Sequence, residues 1–162
     1  MSANQALTNQ ADIPLKHIIL VIKKATIFKP NLKELTEGIR VDINVENNRE
    51  LFKLVEDFIH ANQVEIVMTT LSERGILVSW KEESEERITH KIIPAHLRNI
   101  SDVSGAGDTV VSVSALCHAS GLRPDETATL ANIAGGLVCE EIGVIPIDKL
   151  KFLNESIRIL NP

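Results

Sequence analysis

Between Ser101 and Leu116 the chain sets an acidic residue among residues without bulk, in an order that suits the transfer of an anion. Gly105, Ala106 and Gly107 keep side chains away from the backbone, so successive N–H groups can converge on one negative group. The small and aliphatic run Val110 to Leu116 predicts a helix starting there, whose first-turn N–H groups and positive dipole end would serve the same anion. Asp108 lies on that turn as the side chain able to accept a proton. An anion hole beside a base is the layout of phosphoryl transfer. The shorter string Ser104 to Asp108 also has a plainer reading, a flexible turn in which Ser or Asp caps a buried helix.

The longer string narrows the choice. Asp102-Val-Ser-Gly-Ala-Gly-Asp108, followed by Val110-Val-Ser-Val-Ser-Ala-Leu116, resembles the C-terminal signature of the PfkB (ribokinase-like) carbohydrate kinases. That resemblance implies magnesium-ATP as phosphoryl donor and a sugar or sugar phosphate as acceptor. Asp108 would be the base, and the N–H groups of Ala106, Gly107 and Asp108, behind Gly105, would form the anion hole. Three further stretches match in order. Asn31-Leu-Lys-Glu34 resembles the family's Asn-x-x-Glu element, which organises magnesium and phosphate largely through water; by spacing alone the pair also reads as a helix capping box. Thr69-Thr70-Leu71-Ser72-Glu73-Arg74-Gly75 resembles the turn bordering the nucleotide, which implicates Thr70, Ser72, Glu73 and Gly75. The family carries Gly at position 72, and the β-carbon of Ser72 opposes a positive φ there. Ala131-Asn132-Ile-Ala-Gly-Gly136 resembles the helix beside the adenine, implicating Asn132, and reads equally as a packing patch of small residues. Lys29 to Leu35 and Ala131 to Leu137 are most similar to the heptose-phosphate kinases of that family. Phosphorylation of the anomeric hydroxyl of a heptose 7-phosphate, in ADP-heptose and lipopolysaccharide synthesis, is what that similarity implies. Another ribokinase-like kinase and a non-catalytic nucleotide-binding fragment are the alternatives.

The elements that must position these residues follow from periodicity. Ile18 to Ile22 and Ala25 to Phe28 are apolar runs that predict strands, and Leu32 to Gly38 predicts a helix closed by its glycine. Asn47 and Glu50 are spaced as a capping box for a helix Asn48 to Asn62, on which Leu51, Leu54, Val55 and Phe58 share one face. Val64 to Thr69, Ile76 to Trp80 and Ile88 to Ile93 predict strands, the last two joined by a charged, solvated tip over residues 81–87. After the motif helix to Ala119 comes Gly121 as its cap. Pro124 then opens a helix, with Asp125 and Glu126 against its dipole, Gly135-Gly136 for close packing and Gly143 at its end. A last helix spans about Asp148 to Ile159. The alternation predicts an α/β fold with a largely parallel sheet flanked by helices.

Composition bounds the rest. A chain of 162 residues, 44% hydrophobic and 24% charged, has the content of one globular domain. Its net charge of -5 offers no basic surface to a nucleic acid, so a phosphate ligand has to be held locally. The apolar run Ile18 to Ile22 is too short to span a bilayer, and no basic, cleavable start precedes it, so the cytoplasm is expected. Cys117, Cys139 and the histidines lack metal-ligand spacing. Residues 1–22 read as an atypical or disordered leader, and 23–162 as the C-terminal, nucleotide-binding part of a kinase domain. The sugar-binding half of such a kinase has no counterpart in the sequence. The chain is therefore expected to be inactive alone, and to self-associate or to need that half from elsewhere.

Overall fold

The structure, a computed structural model, describes residues 22–41, 47–82, 87–96 and 98–160. Most of the proposed leader, including all but the last residue of the expected strand at Ile18 to Ile22, and the centre of the charged tip lie outside them. In chain order the elements are β1 (Ile27–Phe28), α1 (Leu32–Ile39), α2 (Asn48–Asn62), β2 (Ile66–Thr70), β3 (Ile76–Lys81), β4 (Ile88–Ile93), α3 (Ala106–Ala119), α4 (Pro124–Val138) and α5 (Lys149–Leu160). A single 3-10 turn, Ser72–Arg74, joins β2 to β3.

The strands form one sheet in the order β1-β2-β3-β4. β1 runs parallel to β2, but β2 with β3 and β3 with β4 are antiparallel. The α/β class holds, and the largely parallel sheet is corrected to a mixed one. Continuous apolar runs suggested parallel strands because such strands are buried on both faces. Here the double burial has another cause, since helices cover both faces of an antiparallel meander. The connection at residues 71–75 is also too short for a parallel crossover, which needs about a dozen residues or more.

Alternation along each strand sends side chains to two cores. Val67 and Leu77 face Leu35 of α1 and Leu51, Leu54, Val55, Phe58 and Ile59 of α2. Ile66, Met68, Ile76, Val78 and Trp80 face Val110 and Val113 of α3 and Ala128, Ala131 and Ala134 of α4. The first core is filled by large aliphatic and aromatic groups, including the stacked pair Phe28 and Phe58, with centroids 5.2 Å apart. The second relies on small residues that bring helices together. A β-carbon on Gly135 would lie 2.7 Å from Cγ2 of Val110, so the backbone of α4 lies directly against the Val110 side chain of α3.

Helix ends explain two further departures. Gly38 is buried inside α1, and the left-handed cap is Arg40, with φ 58°. Likewise α4 stops at Val138 with Cys139 as cap, ahead of Gly143, whose φ of 83° turns the connection to α5. Pro124 does open α4, and the Arg123 N–H donates to Glu126 Oε2 over 3.0 Å. Asn47 caps α2 by accepting from Arg49 N, while its amide donates to Glu50 Oε1 at 2.8 Å. Asp148 caps α5, accepting from the N–H groups of Leu150 and Lys151.

Candidate functional site

Because β1, β2 and β4 point the same way, their C-terminal ends lie along one edge of the sheet. A row of paired positions marks that edge: Asn31 bridges Thr70, Thr70 pairs with Ile76, and Ile76 pairs with Ile93. Ligands of open α/β sheets bind beyond such ends. The candidate residues gather there from four segments.

Asn31 follows β1 and caps α1. Its Oδ1 accepts from Glu34 N at 2.7 Å, and its own N–H donates to Glu34 Oε2 at 2.8 Å, so the capping box read from spacing is present. The Thr70 N–H donates to Pro30 O at 3.0 Å, which ties this corner to the end of β2. The turn beyond closes through Leu71 N to Gly75 O at 2.8 Å and Gly75 N to Ser72 O at 3.0 Å. Ser72 adopts φ 53° despite its β-carbon, so the conformation expected to require Gly is kept. Gly75 has φ 93°, and a β-carbon there would lie 2.0 Å from Ile93 O. Glu73 is exposed on the same turn. The Asn132 amide donates to Pro94 O at 2.8 Å, across the backbone against which Gly75 packs. Asn132 and the turn thus border one stretch of chain.

The anion loop is the fourth segment. Gly105 takes φ 77° and precedes α3 without any side-chain cap. The Ala106 N–H donates to Val103 O at 3.3 Å, whereas those of Gly107 and Asp108 have no partner among the described residues. Asp108 is exposed in the first turn of α3. Uncapped donors beside an exposed carboxylate can hold an anion and accept a proton from a neighbouring hydroxyl.

Two residues that sequence reasoning passed over complete the geometry. Asp102 Oδ1 accepts from the N–H and hydroxyl of Ser104, at 3.0 and 2.8 Å, and Oδ2 accepts from Gly143 N at 2.9 Å. The Ser104 N–H, then the Gly143 N–H, then the Ser104 hydroxyl hold the Asp102 carboxyl below its ordinary range. The N–H groups of Ser101 and Asp102 donate to Cys139 O, at 2.8 and 3.2 Å, and Val144 packs on Gly105. The loop is thereby fixed to the connection between α4 and α5. An aspartate followed two residues later by serine is a local signal for this turn, but the reach to Gly143 has none. Lys29, at the end of β1, is the second: a β-carbon on Gly107 would lie 3.5 Å from its Nζ.

The donor set bears on a divalent cation. No group of three or more His, Cys, Asp or Glu among the described residues could enclose one. Glu34 Oε1 is unengaged by any described residue while Oε2 serves the cap, which suits a single carboxylate acting on magnesium through water. No described helix is long and apolar enough to cross a membrane.

Comparison with known proteins shows the family and the fold. The chain is 35% identical over 130 residues to the bifunctional protein HldE of Koribacter versatilis, a match that takes in 80% of this chain and 25% of that protein. Among solved structures, Escherichia coli phosphofructokinase-2 in complex with potassium superposes with a TM-score of 0.77 at 17% identity, covering 91% of this chain and 45% of the kinase. Ribokinase from Thermotoga maritima gives 0.65 at 21% identity, covering 82% and 42%. The fold is ribokinase-like, and the chain spans about a quarter of that curated relative and less than half of these kinases. Residues 4–150 match the pfkB family of carbohydrate kinases, and with that match over most of its length the chain belongs to this family.

Proposed function

We propose that the chain is the nucleotide-binding part of an ATP-dependent sugar kinase. The observation that carries this reading is the pair of unpartnered N–H groups at Gly107 and Asp108, set beside the exposed Asp108 carboxylate at the sheet edge. In the reaction the sugar oxygen bonds to the γ-phosphorus, the bond from phosphorus to the ADP oxygen breaks, and the hydroxyl proton passes to Asp108. The Gly107 and Asp108 donors stabilise charge on the transferred group, for which one such donor is worth about 10²–10³ in rate. Thr70, Ser72, Glu73, Gly75 and Asn132 border the nucleotide. Asn31 and Glu34 would hold magnesium through water, where the ion neutralises phosphate charge.

The substrate within this reading is a heptose 7-phosphate, phosphorylated at its anomeric hydroxyl, in the cytoplasm. It is supported by the likeness to a protein named HldE and by the Lys29 to Leu35 and Ala131 to Leu137 stretches. By itself the chain binds nucleotide without turnover, because nothing assigned here fixes a sugar hydroxyl in line, and such positioning is worth about 7–11 kcal/mol. Exposed Ile142, Val144, Leu150 and Leu116 leave apolar surface for association with a copy or with the sugar-binding part.

The test joins this chain to a sugar-binding part from a relative and compares heptose 7-phosphate with ribose, fructose 1-phosphate and a nucleoside. Asp108→Asn should lower turnover by about 10²–10⁴ with ATP affinity nearly unchanged. Residual turnover near that of the parent removes Asp108 as base. Faster reaction of another sugar overturns the heptose assignment.

A further inference from the structure

The connection from β4 to the anion loop contains no described helix or strand, yet a series of attachments along it leads to α4 and the segment just beyond. The Asn132 amide of α4 holds Pro94 O. One turn further along α4, Gly136 leaves a slot for the Arg98 side chain, since a β-carbon there would stand 2.6 Å from its Nε and 3.0 Å from its Cδ. From that slot the guanidinium donates to Glu140, two residues past the end of α4, at 2.7 Å, and through both terminal nitrogens to Glu155 of α5. Lys151 completes the group by donating to Glu140. Ser101 and Asp102 then donate to Cys139 O, three residues after Arg98, and the anion loop follows.

The Arg98 side chain is buried with its charge matched, and burial of that kind contributes little net stability because desolvation opposes the attraction. What a planar fork of donors between two carboxylates does impose is a single orientation. Resting on the sugar-kinase reading, we propose that Arg98 is a positioning residue for phosphoryl transfer. Seated over Gly136 and held by Glu140 and Glu155, it fixes the chain entering the anion loop, so that the Gly107 and Asp108 N–H groups keep one place relative to α4. It touches neither nucleotide nor sugar. The consequence is that α5, which carries Glu155, takes part in setting the loop rather than only covering α4.

The experiment records amide spectra of the full 162-residue chain and its variants without nucleotide, then titrates MgATP by calorimetry. Arg98→Met should shift the Gly107 and Asp108 resonances and weaken MgATP about threefold or more, as for a residue that acts through others. Gly136→Ala should act in the same direction, although alanine favours the helix over glycine, so that a purely stabilising role predicts no loss. Joined to Arg98→Met it should add nothing, because both act through one side chain. Arg98→Lys should recover part of the affinity. Phe58→Ala, which weakens the opposite core, should leave both readouts of the folded molecules at the parent's values. Unchanged resonances and affinity in Arg98→Met, or in Gly136→Ala where that variant does not fold, overturn the assignment and leave the kinase reading in place; additive losses in the double variant do the same. A parent chain that does not bind MgATP overturns that reading and the role of Arg98 with it.

Discussion

The two faces of the sheet are built on different principles. On one, α2 lays a periodic stripe of Leu51, Leu54, Val55 and Phe58 onto Val67 and Leu77, and adhesion comes from side-chain volume. On the other, Ala128, Ala131, Ala134 and Gly135 of α4 remove volume so that α3 can approach closely. The first face supplies stability and tolerates changes of shape. The second fixes where α3 begins, and with it Gly107, Asp108 and the gap to Lys29. The proposed site lies on the face where backbone position, rather than apolar area, is set.

That contrast can be broken most forcefully at the α2 face. Phe58→Ala removes a buried ring stacked on Phe28 and should cost about 3–5 kcal/mol in urea unfolding. ATP affinity of the molecules still folded should stay near that of the parent. A selective loss of affinity would show that the two faces are not separate in role.

Gly135→Ala tests the other side. Its methyl would lie 2.7 Å from Val110 Cγ2, so α3 has to move, at about 1–3 kcal/mol for overpacking. Here the affinity for ATP should fall beyond what stability explains. Unchanged affinity would mean that the first turn of α3 is positioned from elsewhere.

Asp102→Asn sharpens the comparison further. It should leave the unfolding midpoint almost unchanged and weaken ATP binding several-fold, because the negative carboxylate that holds both Ser104 and Gly143 is lost. The same carboxyl gives a pH dependence. Its folded value lies below the ordinary one, so the loop contact is present at neutral pH and is lost as pH falls through that depressed value. Equal affinities for the variant and the parent would deny the loop this anchor.

The smallest effect concerns two histidines, one on β4 and one just beyond it. Burial lowers His90, which stacks on Phe52 at 4.8 Å, and burial with the nearby Arg98 charge lowers His96. As pH falls through the usual histidine range near 6.5, the unfolded chain takes up protons first. Stability should therefore decline between neutrality and mild acid, and His90→Gln should flatten part of the decline. A urea midpoint that rises on acidification over that range would contradict this.

The elements most legible in the sequence depend on residues close in the chain. The stripe of α2, Pro124 at the start of α4 and the Asn31 to Glu34 cap were readable because each rests on contacts within about one turn. The strand runs were readable too, but their direction was not, since a continuous apolar run reports coverage of both faces and not the sense of pairing. Gly38 and Gly143 misplaced two helix ends. A glycine permits a left-handed cap without requiring one, and Arg40 shows that another residue can take it.

The sequence by itself determined the order of elements, the family and a loop of small residues ending in Asp108, since local sterics and periodicity are written in neighbouring residues. Only the tertiary structure decided that Lys29 lies against Gly107, that Asp102 reaches Gly143, and that Arg98, with 6% of its side chain exposed, ties the segment just after α4 to α5 through Glu140 and Glu155. Each of these joins segments tens of residues apart. Which pairs meet depends on how closely α3 and α4 pack on the sheet, and that spacing is set by both surfaces together.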